Sequence, residues 1–266
     1  MAVTKMNRVI DSHIHLDLYE QKEIEEIMAG LNSAECTDLI SVSFHLDSCL
    51  RNLQLAETYD QVHPAFGFHP EQELPSDEEL QDLFSWMEKY QKQMVAVGEV
   101  GLPYYLRMEK GTGFSIDEYI DLLEQFIVKA KRWDKPVILH SVYDDAPIAC
   151  DLLEKHGVEK AHFHWFKGDS KTVGRMIENG WFISVTPDLI YEKEIQELVK
   201  KYPLGQMMVE TDGPWRFEGP FTGKMTQPIM IHDTITAIAS IKNCGREEAY
   251  RTLYENTAKF YRLNMF

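Results

Sequence analysis

Basic residues are scarce in this chain. Its 266 residues carry 27 lysines and arginines against 43 aspartates and glutamates, a formal net charge of −16. The average field of such a surface repels a long nucleic acid, so tight, sequence-indifferent binding of duplex is not expected. A nucleic-acid substrate stays open, because a bound divalent metal pair carries its own positive charge and inverts the local potential. Cysteine is sparse as well. Cys36, Cys49, Cys150 and Cys244 contain no C-x-x-C pair, which argues against a disulfide framework and for free thiols in a reducing compartment. No apolar run approaches the length that spans a membrane, and residues 1–8 lack the apolar core of a signal segment. A cytoplasmic protein without membrane association is expected. Linkers rich in Pro, Gly or Ser, long charge runs and internal repeats are also missing, so residues 1–266 read as a single domain.

What the chain does have is alternation. Short β-type runs stand at 7–13, 38–44, 63–68, 94–99, 136–140, 159–164, 180–185 and 206–211. Amphipathic stretches separate them, near 20–33, 47–60, 76–92, 144–156, 170–179, 191–201 and 228–242. Ile116, Tyr119, Ile120, Leu123, Phe126, Ile127 and Ala130 repeat at helical spacing. Ser76 followed by Glu79 has the form of a capping box, and Gly157 and Gly180 stand where helices should end. A last helix is expected over 246–262. Eight strands, each followed by a helix, predict a (β/α)8 TIM barrel with an extra C-terminal helix. The rival is an open doubly wound sheet, which would carry a glycine-rich phosphate loop after its first strand. That place holds Ser12-His13-Ile14-His15 instead.

Active sites of such barrels lie at the C-terminal ends of the strands. His13 and His15 close strand one and share a face. Glu99 closes strand four, His140 strand five, His164 strand six and Asp212 strand eight. Taken singly, each has a bland alternative: a paired buried carboxylate, a hydrogen-bonded core histidine, a helix cap. Taken together, four imidazoles and two carboxylates are expected to converge on one rim, a donor set suited to Zn, Mn or similar divalent ions that a carboxylate can bridge.

The chain resembles the TatD-family metal-dependent hydrolases, also called TatD-related deoxyribonucleases, within the amidohydrolase-type barrels. The resemblance spans nearly the whole sequence. It is carried by Asp11-Ser12-His13-Ile14-His15-Leu16, Gly67-Phe68-His69-Pro70, Val97-Gly98-Glu99-Val100-Gly101-Leu102, Ile138-Leu139-His140-Ser141, His164-Trp165-Phe166-Lys167-Gly168 and Glu210-Thr211-Asp212-Gly213-Pro214, with Gln227-Pro228 and Asn256-Thr257-Ala258 near the end. It implies two divalent metal ions (Zn, Mn, Mg or Ni). His13, His15 and Asp212 would bind one, His140 and His164 the other, and Glu99 would bridge them. It also implies His69 as a contact to substrate phosphate or to the attacking water; the bland alternative is a turn histidine fixed by Pro70. Three departures from the family pattern involve four positions. Pro103 follows Leu102, Val142 stands where the family places an arginine, and Trp165 and Lys167 replace small polar residues.

These residues predict a hydrolase in which paired metals activate water, with Asp212 as general base and Glu99 as the second catalytic carboxylate. The expected substrate is a phosphodiester: a DNA end or a short or single-stranded oligonucleotide. Trp165, Tyr104, Tyr105, Trp215 and Phe217 would form an aromatic wall for base or sugar. With the arginine missing, Lys167, or one of Arg107, Lys110, Arg216 and Lys224, would meet phosphate. Two other readings fit the same residues: hydrolysis of a small lactone, amide or ester, and a non-catalytic metal-binding or interaction barrel. His162 is read as a packed barrel-layer or supporting residue, while His45, His63, His156 and His232 match no motif.

Overall fold

The computed structural model describes residues 7–263; residues 1–6, which form most of the N-terminal segment discussed above, and 264–266 lie outside it. Eight parallel strands follow one another around the sheet in sequence order: β1 Val9–Ile14, β2 Cys36–Ser41, β3 Val62–Phe66, β4 Ala96–Gly101, β5 Val137–His140, β6 Ala161–Phe163, β7 Phe182–Val185 and β8 Met207–Val209. Each lies where the sequence predicts one, shifted by a few residues at its ends. Between and around them run α1 Gln21–Gly30, α2 Leu46–Thr58, α3 Asp77–Tyr90, α4 Tyr104–Lys110, α5 Asp117–Arg132, α6 Ala146–Lys155, α7 Ser170–Glu178, α8 Lys193–Lys201, α9 Ile231–Lys242 and α10 Arg246–Phe260. This is a nearly closed TIM barrel with additional C-terminal helices.

The strands show why the chain closes this way. Side chains alternate faces along a strand, and the buried residues divide accordingly. Leu39, Val97, Val137, Leu139, Ile183, Met207 and Val209 join the large outer core beneath the helices. Their neighbours Ile40, Ala96, Ile138 and Met208 pack in a separate inner cluster with Phe260 and Tyr261. The last residue of α10 and Tyr261 just past it therefore fill the barrel axis at the end away from the ligand candidates.

Two strands break the alternation, and both carry candidate ligands. In β1 the pairing with β2 shifts between Asp11 and Ile14. Ile14 consequently joins the outer core, and His13 and His15 turn inward on either side of it. In β4 the register shifts between Val97 and Val100. Both valines lie in the outer core although three residues apart, and Glu99 faces the axis. An extra residue in a strand re-aims the side chains beyond it.

The seam between β8 and β1 is closed just past the end of β8. Asp212 N–H donates to His13 O at 2.9 Å and His15 N–H to Gly213 O at 2.8 Å. Beneath them the buried Asp11 carboxylate accepts from the Thr211 backbone N–H at 2.9 Å and from the Thr211 hydroxyl. The predicted caps are present: Ser76 and Glu79 form a reciprocal capping box at α3, and Gly157 and Gly180 take positive φ just after α6 and α7. The four cysteines are free thiols. Among the described residues no helix is long and apolar enough to cross a membrane.

Candidate metal centre

The bulges, the seam and the ends of β5 and β6 bring the six candidate donors to one place. Glu99 is fully buried at the centre, and its two oxygens face different partners. Oε2 lies 3.2 Å from His13 Nε2 and 3.1 Å from His15 Nε2. Asp212 Oδ1 completes that group, 3.3 Å from His13 Nε2 and 3.7 Å from His15 Nε2. Oε1 lies 2.9 Å from His140 Nδ1 and 2.6 Å from His164 Nε2, and those two nitrogens are 3.2 Å apart.

These separations suit a shared cation. Bonds of about 2.1 Å from a tetrahedral ion place its donors about 3.4 Å apart. His13, His15 and Asp212 form one group of donor atoms able to hold an ion, and His13, Glu99 and His164 form another. The buried polar atoms point the same way. His13 Nε2 and Glu99 Oε2, which face each other across the first group, have no hydrogen-bond partner. Polar atoms are seldom left so deep inside a protein unless something else satisfies them.

The local electrostatics also call for positive charge. Burial alone would lower His13, and His164 pulls the same way, yet the Glu99 and Asp212 carboxylates raise it to about 9. Burial opposes ionisation of Glu99, but the surrounding imidazoles hold it well below the usual carboxylate range. Asp212 is likewise desolvated, and the neighbouring imidazoles of His13, His164 and His15 leave it below its ordinary value. The backbone contributes as well: Asp212 sits at φ 52° and Trp165 at φ 37°, an uncommon conformation for non-glycine residues. Gly101 is dictated by close approach, since a Cβ there would stand 1.9 Å from His140 O.

His69 lies beside the cluster, stacked on Phe44 with ring centroids 4.0 Å apart. Its Nδ1 accepts the Glu71 N–H at 3.1 Å. Burial lowers its pKa to about 4 against the pull of Glu99, so the ring is neutral and its proton is on Nε2, 3.4 Å from Glu99 Oε1. Although His69 can be grouped with His15 and Glu99 as a donor set, this tautomer makes it a hydrogen-bond donor toward the cluster.

A family model described as "TatD related DNase" matches residues 10–262. The chain belongs to this family. TatD-family relatives match over nearly their whole length. A Haemophilus influenzae protein described as an uncharacterized metal-dependent hydrolase is 37% identical over 256 residues, covering 96% of this chain and 100% of the relative. The human deoxyribonuclease TATDN3 is 30% identical over 262 residues, covering 95% and 94%. The crystal structure of YjjV, a TatD homolog from Escherichia coli, superposes with a TM-score of 0.87 at 25% identity, covering 97% of this chain and 100% of that one.

Around the TatD-family mouth the cations are fewer than the sequence offers. Arg107 is engaged by the buried Asp145 carboxylate, and Lys110 lies 3.5 Å from Glu73. Lys167 stands over the Trp165 ring, 5.1 Å from its centroid; Lys224 and Arg216 are exposed. The aromatic wall divides in two. Trp165, Trp215 and Phe217 form one side, with Trp165–Trp215 centroids at 5.4 Å. Tyr104, Tyr105 and Tyr143 form the other.

Two neighbours of the cluster received no role from the sequence. Glu210 stands just past the end of β8, two residues before Asp212, and its Oε1 accepts the Trp165 N–H at 2.8 Å. Its other oxygen accepts from the Ser184 hydroxyl. His162 Nε2 lies 2.6 Å from Ser184 Oγ, and His162 Nδ1 lies 2.7 Å from the Tyr261 hydroxyl. Since the serine proton goes to Glu210, Nε2 must carry the His162 proton. His162 is thus a barrel-layer residue beneath the cluster. Glu71 is the other omission; only the i, i+2 spacing from His69 could have flagged it. His45 caps α2, and His63, His156 and His232 pair with Asp38, Glu124 and Tyr250 respectively.

Proposed function

We propose that this chain is a metal-dependent hydrolase that cleaves phosphodiester bonds in short or single-stranded nucleic acid, with two divalent cations held across Glu99. The observation that carries the reading is the division of Glu99: one carboxylate oxygen faces His13 and His15 beside Asp212, the other faces His140 and His164. The names of the relatives support hydrolysis and, for TATDN3, deoxyribonucleic acid.

Divalent cations bound there would lower the pKa of water and polarise the scissile phosphoryl group. The protein's residues do the remaining work. Asp212, ionised and at the mouth, accepts the proton of the attacking water. Glu99, fully buried, keeps the two donor sets in register. His69 donates its Nε2 proton to a phosphoryl oxygen. Lys167 meets an adjacent phosphate. Trp165 and Trp215 offer faces on which an unpaired base stacks, and such contacts are worth about 1–3 kcal/mol per base. Among the described residues, the exposed apolar side chains of Leu18, Tyr105, Met108 and Trp215 stand within about a dozen residues after the ends of β1, β4 and β8, which favours a substrate with apolar faces.

The test combines metal analysis of the purified protein with cleavage of a short single-stranded oligonucleotide. A parallel panel sets nitrophenyl phosphodiesters against nitrophenyl carboxylic esters and a lactone. Metal-dependent turnover of the phosphodiesters is expected. Inertness toward every phosphodiester beside brisk ester or lactone hydrolysis would overturn the reading.

A further inference from the structure

Glu71 leaves the loop after β3 two residues beyond His69 and turns back toward the cluster. Its Oε1 lies 3.1 Å from His140 Nε2. The same carboxylate accepts the backbone N–H of Tyr105 at 2.9 Å and of Leu106 at 2.6 Å, in the first turn of α4. Only 14% of its side-chain surface is exposed. Neither motif nor periodicity accounts for it.

The protons on His140 decide what Glu71 does. Nδ1 is the nitrogen that faces Glu99 Oε1 and His164 Nε2. A neutral imidazole has one lone pair to offer a cation, and its proton sits on the other nitrogen. For Nδ1 to act as a donor, Nε2 must hold the proton, and Glu71 Oε1 is there to accept it. We propose that Glu71 is a positioning residue for the cation held by His140 and His164. It locks His140 in the Nε2–H tautomer and ties α4, with Tyr104 and Tyr105, to that ligand. This rests on the two-cation reading above. A carboxylate behind a metal-bound imidazole fixes the ring and raises its basicity, and its loss typically weakens metal binding about 10–100-fold.

Glu71→Gln separates this role from a purely structural one. The amide keeps the shape but has a single acceptor oxygen. If that oxygen faces Leu106, the amide NH2 faces His140 Nε2 and selects the wrong tautomer. If it faces His140, the NH2 opposes the Leu106 N–H. Calorimetric titration with Mn²⁺ is expected to show two sites in the unaltered protein. In Glu71→Gln one of the two sites should lose about 10–100-fold in affinity while the other is unchanged. Arg107→Ala loosens α4 through Asp145 without touching Glu71, and it should leave both affinities within about threefold. An equal loss in Arg107→Ala would assign the effect to α4 packing and overturn the proposal. Two unaltered sites in Glu71→Gln would also overturn it while leaving the two-cation reading intact; a single site in the unaltered protein would instead sink that reading. Should Glu71→Gln fail to fold, ¹⁵N NMR of the Zn²⁺-loaded unaltered protein decides. His140 protonated at Nδ1 would refute the proposal.

Discussion

A carboxylate serves as a base only if it is ionised when water arrives, and Asp212 meets that condition: the neighbouring imidazoles of His13, His164 and His15 hold it below its ordinary pKa despite burial. Asp212→Asn keeps the volume but removes the acceptor. Turnover at saturating metal should fall on the order of 10² to 10⁴-fold with the circular dichroism spectrum unchanged; activity within about threefold would move the role elsewhere. His13 predicts a pH effect on the protein stripped by a chelator. Its folded pKa is raised from 6.5 to about 9. The associated stabilisation is therefore fully present below pH 6.5 and lost as pH climbs through about 9. Cations compete with that same proton, so with saturating Zn²⁺ the gain in stability should grow as pH rises. Thermal melts from pH 6 to 9 check both: Tm should decline with pH in chelator, and the increment added by Zn²⁺ should widen.

At the scale of elements the decisive feature is the seam. Asp11 reaches across it to both donors of Thr211. Asp11→Ala would leave these buried groups without an acceptor, at about 1–3 kcal/mol for each unsatisfied group. Chemical denaturation should show a loss of that order or more, and Asp11→Asn, which keeps one acceptor, should lose less. The sequence reveals much of this architecture. Eight apolar runs, five of them ending in His, Glu or Asp, announce both barrel and rim, because strand ends and active-site residues coincide in this fold. The register shifts at Asp11–Ile14 and Val97–Val100 are not legible: they depend on pairing with β2 and β5, which no local pattern encodes. Nor is α4, a seven-residue helix with no buried residue and so no apolar stripe. Glu71 is hidden because one carboxylate in a loop looks like solvated charge until its partners are known. Arg107 misleads in the opposite way, reading as a free rim cation until Asp145 is seen beneath it.

For the whole molecule, charge and shape act together. A net charge of −16 and a mouth at which Arg107 and Lys110 are already paired with Asp145 and Glu73 leave room for few phosphate contacts. The proposed activity on single strands should therefore depend weakly on salt. Each neutralised phosphate contributes about −0.7 to the logarithmic slope, so a slope of kcat/KM against salt steeper than about −2 would show a basic track this surface lacks. The closed seam carries a further consequence, for the time when the chain is being made. Asp11 and Thr211 are 200 positions apart, and at about 5–20 residues per second the ribosome separates their appearance by roughly 10–40 s. Glu99, His140 and His164 are all available before β8 exists, whereas His13 and His15 wait for Asp212. The donors of the half that holds the proposed base are thus the last to be complete in the growing chain.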